Sequence, residues 1–157
     1  MKKYFILLII IIFPFKSNAL IEVDITRGNL NPLPIAVSPL AQDKNSKSES
    51  KKVLNLENLG SDISAVIENN LKQSGLFNPL NKDSFIQEAD IAHLKPRFED
   101  WSLIKAQALI TGKVELENEK LKVEFRLWDV LAAKEMLALA FSTVPNNWRR
   151  VGHIISD

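Results

Sequence analysis

The chain has 157 residues, a quarter of them charged, with a formal net charge of +1. That balance provides no basic field to condense on a nucleic-acid backbone or an anionic membrane surface. The absence of cysteine removes thiol catalysis, disulfides and cysteine-based metal sites, while five glycines and seven prolines are too few for a low-complexity tract.

The first nineteen residues decide where the rest must work. Lys2 and Lys3 are followed by an unbroken apolar run from Phe5 to Phe13. Pro14 ends the run, and Ser17-Asn18-Ala19 places small residues at an A-x-A-like cleavage site. This is the layout of a secretory signal peptide, with cleavage expected after Ala19. The competing reading is a retained anchor. A bilayer-crossing helix needs roughly 20 apolar residues, and this run covers less than half of that, so no stable membrane insertion is expected. Residues 1–19 carry Lys2, Lys3 and Lys16 and no acid, so their removal turns the small positive balance slightly negative. What remains is one domain without disulfides, held by packing, which suits a bacterial periplasm.

Leu20 to Arg27 alternates with a period of two. Ile21, Val23 and Ile25 fall on one side, and Glu22, Asp24 and Thr26 on the other. Residues 20–30 therefore form an exposed, strand-like N-terminal segment, ending at Gly28 and Asn29. Two readings fit it: an edge strand of the domain's own sheet, or a segment that adds to the sheet edge of a partner. After Pro32 and Pro34, Ile35-Ala36-Val37 predicts a short strand that Ser38-Pro39 ends. Gln42 to Lys52 has no apolar residue and reads as a solvated loop.

Ser61 to Gly75 has the clearest helical pattern. Ser61 is the expected cap, Ile63, Val66, Ile67 and Leu71 recur at helical spacing, and Ser74-Gly75 is the stop. Phe77, Pro79 and Leu80 return to the core, and residues 81–97 read as irregular, with a short strand or turn around Phe85-Ile86. A short helix is expected over Phe98 to Lys105, with Asp100 near its start. Gln107 to Leu116 then predicts a strand with Gly112 as a bulge or close-approach site, and Glu117 to Lys120 a polar turn. Leu121 to Trp128 alternates most sharply: Leu121, Val123, Phe125 and Leu127 inward, Lys122, Glu124 and Arg126 outward.

Glu135 to Val144 reads as a third strand in preference to an alanine-rich helix. It is apolar on both sides (Met136, Ala138 and Ala140; Leu137, Leu139 and Phe141), so it is expected to be covered on both faces. Pro145-Asn146 opens a last helix, where Trp148, Val151 and Ile155 share a stripe. That helix reaches Asp157 with no stop signal, which reads as a fragment of a longer protein.

No pattern points to catalysis, a cofactor or a metal. His93 and His153 are far apart, and no H-E-x-x-H, phosphate-binding glycine loop or nucleophile elbow is present. Asp83, Glu99 and Asp100 read as solvated loop acids, and Trp101, Trp128 and Trp148 as core anchors.

Five stretches carry a family resemblance. They are Asn31-Pro-Leu-Pro-Ile-Ala-Val-Ser-Pro-Leu40; Leu71-Lys-Gln-Ser-Gly-Leu-Phe-Asn-Pro-Leu80; Trp101 with Ala106-Gln-Ala-Leu-Ile-Thr-Gly112; Phe125-Arg-Leu-Trp-Asp-Val130; and Trp148-Arg-Arg-Val-Gly-His-Ile-Ile-Ser-Asp157. In this order behind a signal peptide, residues 31–157 resemble the N-terminal domain of the Tol-Pal system protein TolB. The second stretch matches the family's L-x-x-S-G-x-F-x-P-L pattern and is the most distinctive. The resemblance implies an α/β (α+β) domain: a small mixed sheet with two or three helices, like the anticodon-binding domains of some synthetases.

The resemblance also implies a non-catalytic, periplasmic interaction domain of the Tol-Pal envelope system, which helps maintain outer-membrane integrity and constriction during cell division. It assigns Leu20, Ile21, Glu22, Val23, Asp24, Ile25, Thr26 and Arg27 to the segment that engages a TolA-like inner-membrane protein. In the family a C-terminal β-propeller binds the lipoprotein Pal. No propeller sequence is present here, so binding of a Pal-like lipoprotein is not carried over. Two rival readings remain: a truncated, inactive remnant of such a protein, and a small exported hydrolase or carrier.

Overall fold

The computed structural model describes residues 31–42, 58–117 and 119–157. The leader, the strand-like segment 20–30 and residues 43–57 lie outside the described residues.

Strand β1 (Leu33–Val37) contains the expected Ile35-Ala36-Val37 run, and all three of those residues are buried. A two-residue strand, β2 (Ala41–Gln42), follows it beside β4, so Gln42 belongs to the sheet and not to the polar loop. Helix α1 (Leu59–Gln73) starts earlier than its pattern predicts. Asn58 occupies the cap position without a side-chain cap bond, and Ser61 lies exposed within the first turn. The early start is a tertiary effect. The Leu40 amide donates to the Gly60 carbonyl at 3.2 Å, and a Cβ on Gly60 would collide with the Leu40 carbonyl. At the other end the expected stop holds, with Gly75 in the left-handed region at φ 72.

Strand β3 (Phe77–Pro79) runs parallel to β1, giving a β-α-β unit around α1. The stretch expected to be irregular contains a 3-10 turn at Lys82–Ser84 and one turn of helix, α2 (Ala89–Ala92). The short helix α3 (Phe98–Leu103) follows as expected. Strands β4 (Ala108–Glu117), β5 (Lys120–Asp129) and β6 (Lys134–Thr143) then form an antiparallel meander. A second 3-10 turn at Pro145–Asn147 leads into α4 (Trp148–Ser156).

The sheet order is β3-β1-β4-β5-β6, with β2 also paired to β4. Parallel strands occupy one side and antiparallel strands the other, so the sheet is mixed, as expected. Four helices are described, more than the two or three the sequence predicts, because α2 has too few residues to show a helical period. The polar turn between β4 and β5 is also tighter than predicted: Glu117 and Lys120 are themselves paired across the strands. Gly112 is a close-approach site and not a bulge. It stays in register with Phe125, and a Cβ there would strike the Glu124 carbonyl. The one irregularity lies between Leu127 and Trp128, on the side facing β6.

Two packed layers flank the sheet. On one face α1 and α4 bury Ile63, Ile67, Leu71 and Val151 against Ile35, Val37, Ile110, Leu121 and Val123. Val66 of α1 meets Gly152 of α4 so closely that a Cβ on Gly152 would lie 2.9 Å from Val66 Cγ1. On the other face Trp101, Ala92 and Ala106 pack on Ala36, Leu109 and Val130.

A further expectation fails. Strand β6, predicted to be covered on both faces, is the outer strand of the sheet and is exposed over its first seven residues. Its two-sided apolar pattern matches that of a buried strand, but it is the last strand of the meander, and α4 packs against β5.

Candidate interaction surface

The residues assigned to partner binding, Leu20, Ile21, Glu22, Val23, Asp24, Ile25, Thr26 and Arg27, lie outside the described residues. They precede β1, whose entry is fixed by the Leu33 amide donating to the Leu76 carbonyl at 2.9 Å.

Three exposed surfaces stand out in the described part. The first is the β6 edge. Met136, Leu137, Leu139 and the adjoining Val144 are each 43–54% exposed. Leu137, Leu139 and Phe141 register against Leu127, Phe125 and Val123, so they continue the helix-bearing face of the sheet beyond the helices. Phe141 stacks on Phe125 with ring centroids 6.1 Å apart.

The second surface is an open groove of about 580 Å³ between α1 and α4. Ala65, Val66 and Trp148 supply apolar lining, with Asp62, Glu68, Lys72 and Arg149 around it. Arg149 sits 4.7 Å from the Trp148 ring centroid, and Glu68 is held by Lys82 at 2.9 Å.

The third surface is the polar face of β4 and β5. Cross-strand register places Lys113 opposite Glu124 and Glu115 opposite Lys122, so opposite charges alternate along it. Along the strands, Lys122 Nζ meets Glu124 Oε1 at 2.9 Å and Lys113 Nζ meets Glu115 Oε1 at 2.8 Å. The hydrogen bond to Glu124, helped by its charge, holds the Lys122 ammonium above its usual pKa. The same bond to Lys122 is the main cause that draws the Glu124 carboxyl below its usual range. This face is internally neutralised, which makes it a poor attractor for a charged ligand.

The groups set aside for chemistry are structural. Asp100 pairs with Arg97 at 2.7 Å, and the Asp83 amide donates to the Asn81 side chain in its turn. The His93 carbonyl accepts from Arg126, and His153 Nδ1 lies 2.8 Å from Asn70 Nδ2, tying α4 to α1. Trp101 and Trp128 are anchors as expected, each with its indole N–H satisfied, by Gln87 at 3.0 Å and by Thr111 at 2.9 Å. Among the described residues no three His, Asp or Glu side chains converge to hold a metal, and no helix is long and apolar enough to cross a membrane.

Sequence reasoning missed the exposed apolar run on β6. The available signal was its position: the third strand of a meander, with no further strand predicted after it.

Comparison with known proteins agrees with this architecture. The Tol-Pal system protein TolB of Pelagibacter ubique (strain HTCC1062) is 71% identical over 153 residues, covering 98% of this chain and 34% of its own length. The chain therefore spans about a third of the length of that relative. The crystal structure of TolB from Acinetobacter baumannii superimposes with a TM-score of 0.61 at 20% identity, over 80% of this chain and 27% of that one. At that identity the likeness speaks for the fold: a small mixed α/β domain. Residues 21–136 match the TolB amino-terminal domain family, a placement that supports a secreted, periplasmic protein. On the strength of that match and of the high identity along nearly its whole length, this chain belongs to the TolB amino-terminal domain family.

Proposed function

We propose that this chain is a non-catalytic, periplasmic protein–protein interaction domain of the Tol-Pal envelope system. It contributes to outer-membrane integrity and to constriction during division, and it engages a TolA-like inner-membrane protein through Leu20 to Arg27. The observation that carries the reading is the juxtaposition of family membership with an alternating segment placed directly before β1. Such a segment binds by adding to the partner's sheet edge: its backbone supplies hydrogen bonds, and Ile21, Val23 and Ile25 supply the apolar contact. In this reading residues 1–19 are the leader, cut after Ala19, which leaves Leu20 at the free terminus. The architectural likeness to anticodon-binding domains belongs to the same reading, supported by a small mixed sheet with helices packed on it. A near-neutral charge leaves nucleic acid out of it.

Deleting residues 20–27 from the exported protein tests this proposal. Co-purification with TolA should fall to background while the circular-dichroism spectrum stays unchanged. Unaltered TolA capture would remove the proposal, and terminal sequencing of the exported protein checks the cut after Ala19.

A further inference from the structure

We propose that β6 is a homotypic interface, in which two copies of this chain pair their β6 strands edge to edge, antiparallel, about a two-fold axis at Leu139. This inference is independent of the TolA reading.

The two edges of the sheet differ in kind. β3 has three residues, one of them Pro79, which has no N–H to offer a neighbour. β6 has ten residues, neither proline nor glycine among them, and no strand beside its outer side among the described residues. Soluble proteins blunt such edges with lysine, proline or bulges. On β6 these devices are confined to its start, at Lys134 and the irregularity opposite Leu127 and Trp128. From Leu137 to Phe141 the edge is unprotected and apolar.

The strand is also its own complement, which is why a second copy is the occupant. With the axis at Leu139, Leu137 meets the partner copy's Phe141 on the helix-bearing face, and Leu139 meets its own counterpart. On the other face Ala138 meets Ala140, small against small. Lys134 and Glu135, the only charges on the strand, fall opposite Val144 and Thr143, so no like charges meet. From Leu137 to Phe141 large residues therefore oppose large and small oppose small across one isologous ladder, while Met136 falls opposite Ser142. A single strand from each copy buries less than the ~1,600 Å² of a standard stable interface, so pairing is weak and concentration-dependent.

Sedimentation equilibrium on the exported, processed chain tests the proposal. The apparent mass should move from one chain toward two between ~10 μM and ~1 mM. Leu139→Lys and Leu139→Glu should each stay monomeric, since each sets like charges against one another at the axis, and mixing the two should restore pairing. A monomeric native chain across the range, a Leu139→Lys chain that pairs like the native one, or a mixture that stays monomeric would each overturn the inference. A monomeric outcome would leave the edge to a segment of another protein or to residues 20–27 of the same chain. Amide exchange on the unsubstituted chain gives a second measure that needs no variant. β6 amides should exchange more slowly at the higher concentration while β3 amides do not change, and equal slowing of both, or of neither, would also overturn it.

Discussion

The two layers on either side of the sheet are held together by different physics. The α1–α4 layer is mainly aliphatic: Ile63, Ile67, Leu71 and Val151 fill the space above the strands, and the buried Ser64 hydroxyl accepts from the Leu40 amide at its edge. The α2–α3 layer is aromatic, with Phe85 edge-on to Trp101 and Phe98 edge-on to Trp128, and Gln87 organises it. Its side-chain oxygen accepts from the Arg97 amide at 2.8 Å and from the Trp101 indole at 3.0 Å, while its amide donates to the Lys95 carbonyl at 3.0 Å. Gln87 is 4% exposed, and both its side-chain oxygen and its side-chain nitrogen are bonded. One layer is stabilised by aliphatic volume, the other by aromatic packing tied together by a buried polar hub.

Substitutions can sharpen that contrast. The largest effect is expected from Ile67→Ala, which empties the centre of the aliphatic layer and should cost about 4 kcal/mol in denaturant unfolding, against about 1 kcal/mol for Ile67→Val. Such a graded response to volume is the mark of a packed layer. Gln87→Ala should cost about 2 kcal/mol by orphaning the Trp101 and Arg97 donors, and Gln87→Leu about as much despite keeping the volume. If Gln87→Leu proves neutral, the second layer is held by packing alone and the contrast fails.

The smallest effect belongs to the polar strand face. In Lys122→Gln the Glu124 carboxyl should titrate upward, toward its usual value, as followed by NMR. A carboxyl held low stabilises above its ordinary pKa, and that contribution is lost as pH falls through the lowered value. A lysine held high stabilises below its ordinary pKa and loses the contribution as pH rises through the raised value. Stability across the neutral range should therefore not register this exposed pair. An unmoved Glu124 titration in Lys122→Gln would show that the ion pair does not set it.

Much of this molecule is readable before any coordinates. The α1 stripe, the Gly75 stop, the alternation of β5 and the anchoring Trp101 and Trp128 are local patterns, and each survives folding because one side chain or one backbone angle decides it. Gln87 was not legible as a hub, since a lone glutamine in a polar loop carries no period. The start of α1 was misplaced because Leu40, nineteen residues before Leu59, decides it through contacts with Gly60 and Ser64. Gln42 reads as loop in the sequence because β2 exists only by pairing with Lys113 and Val114.

Strand β6 marks the boundary between the two kinds of information. Its alternation favours extended backbone over an alanine-rich helix, because alternation acts within a few residues. Whether that strand is covered is a property of the whole sheet: how the strands are ordered, where α4 lands, and what lies past the last ladder. Burial depends on neighbours distant in the chain, so only the assembled fold could place Leu137 and Leu139 at an open edge.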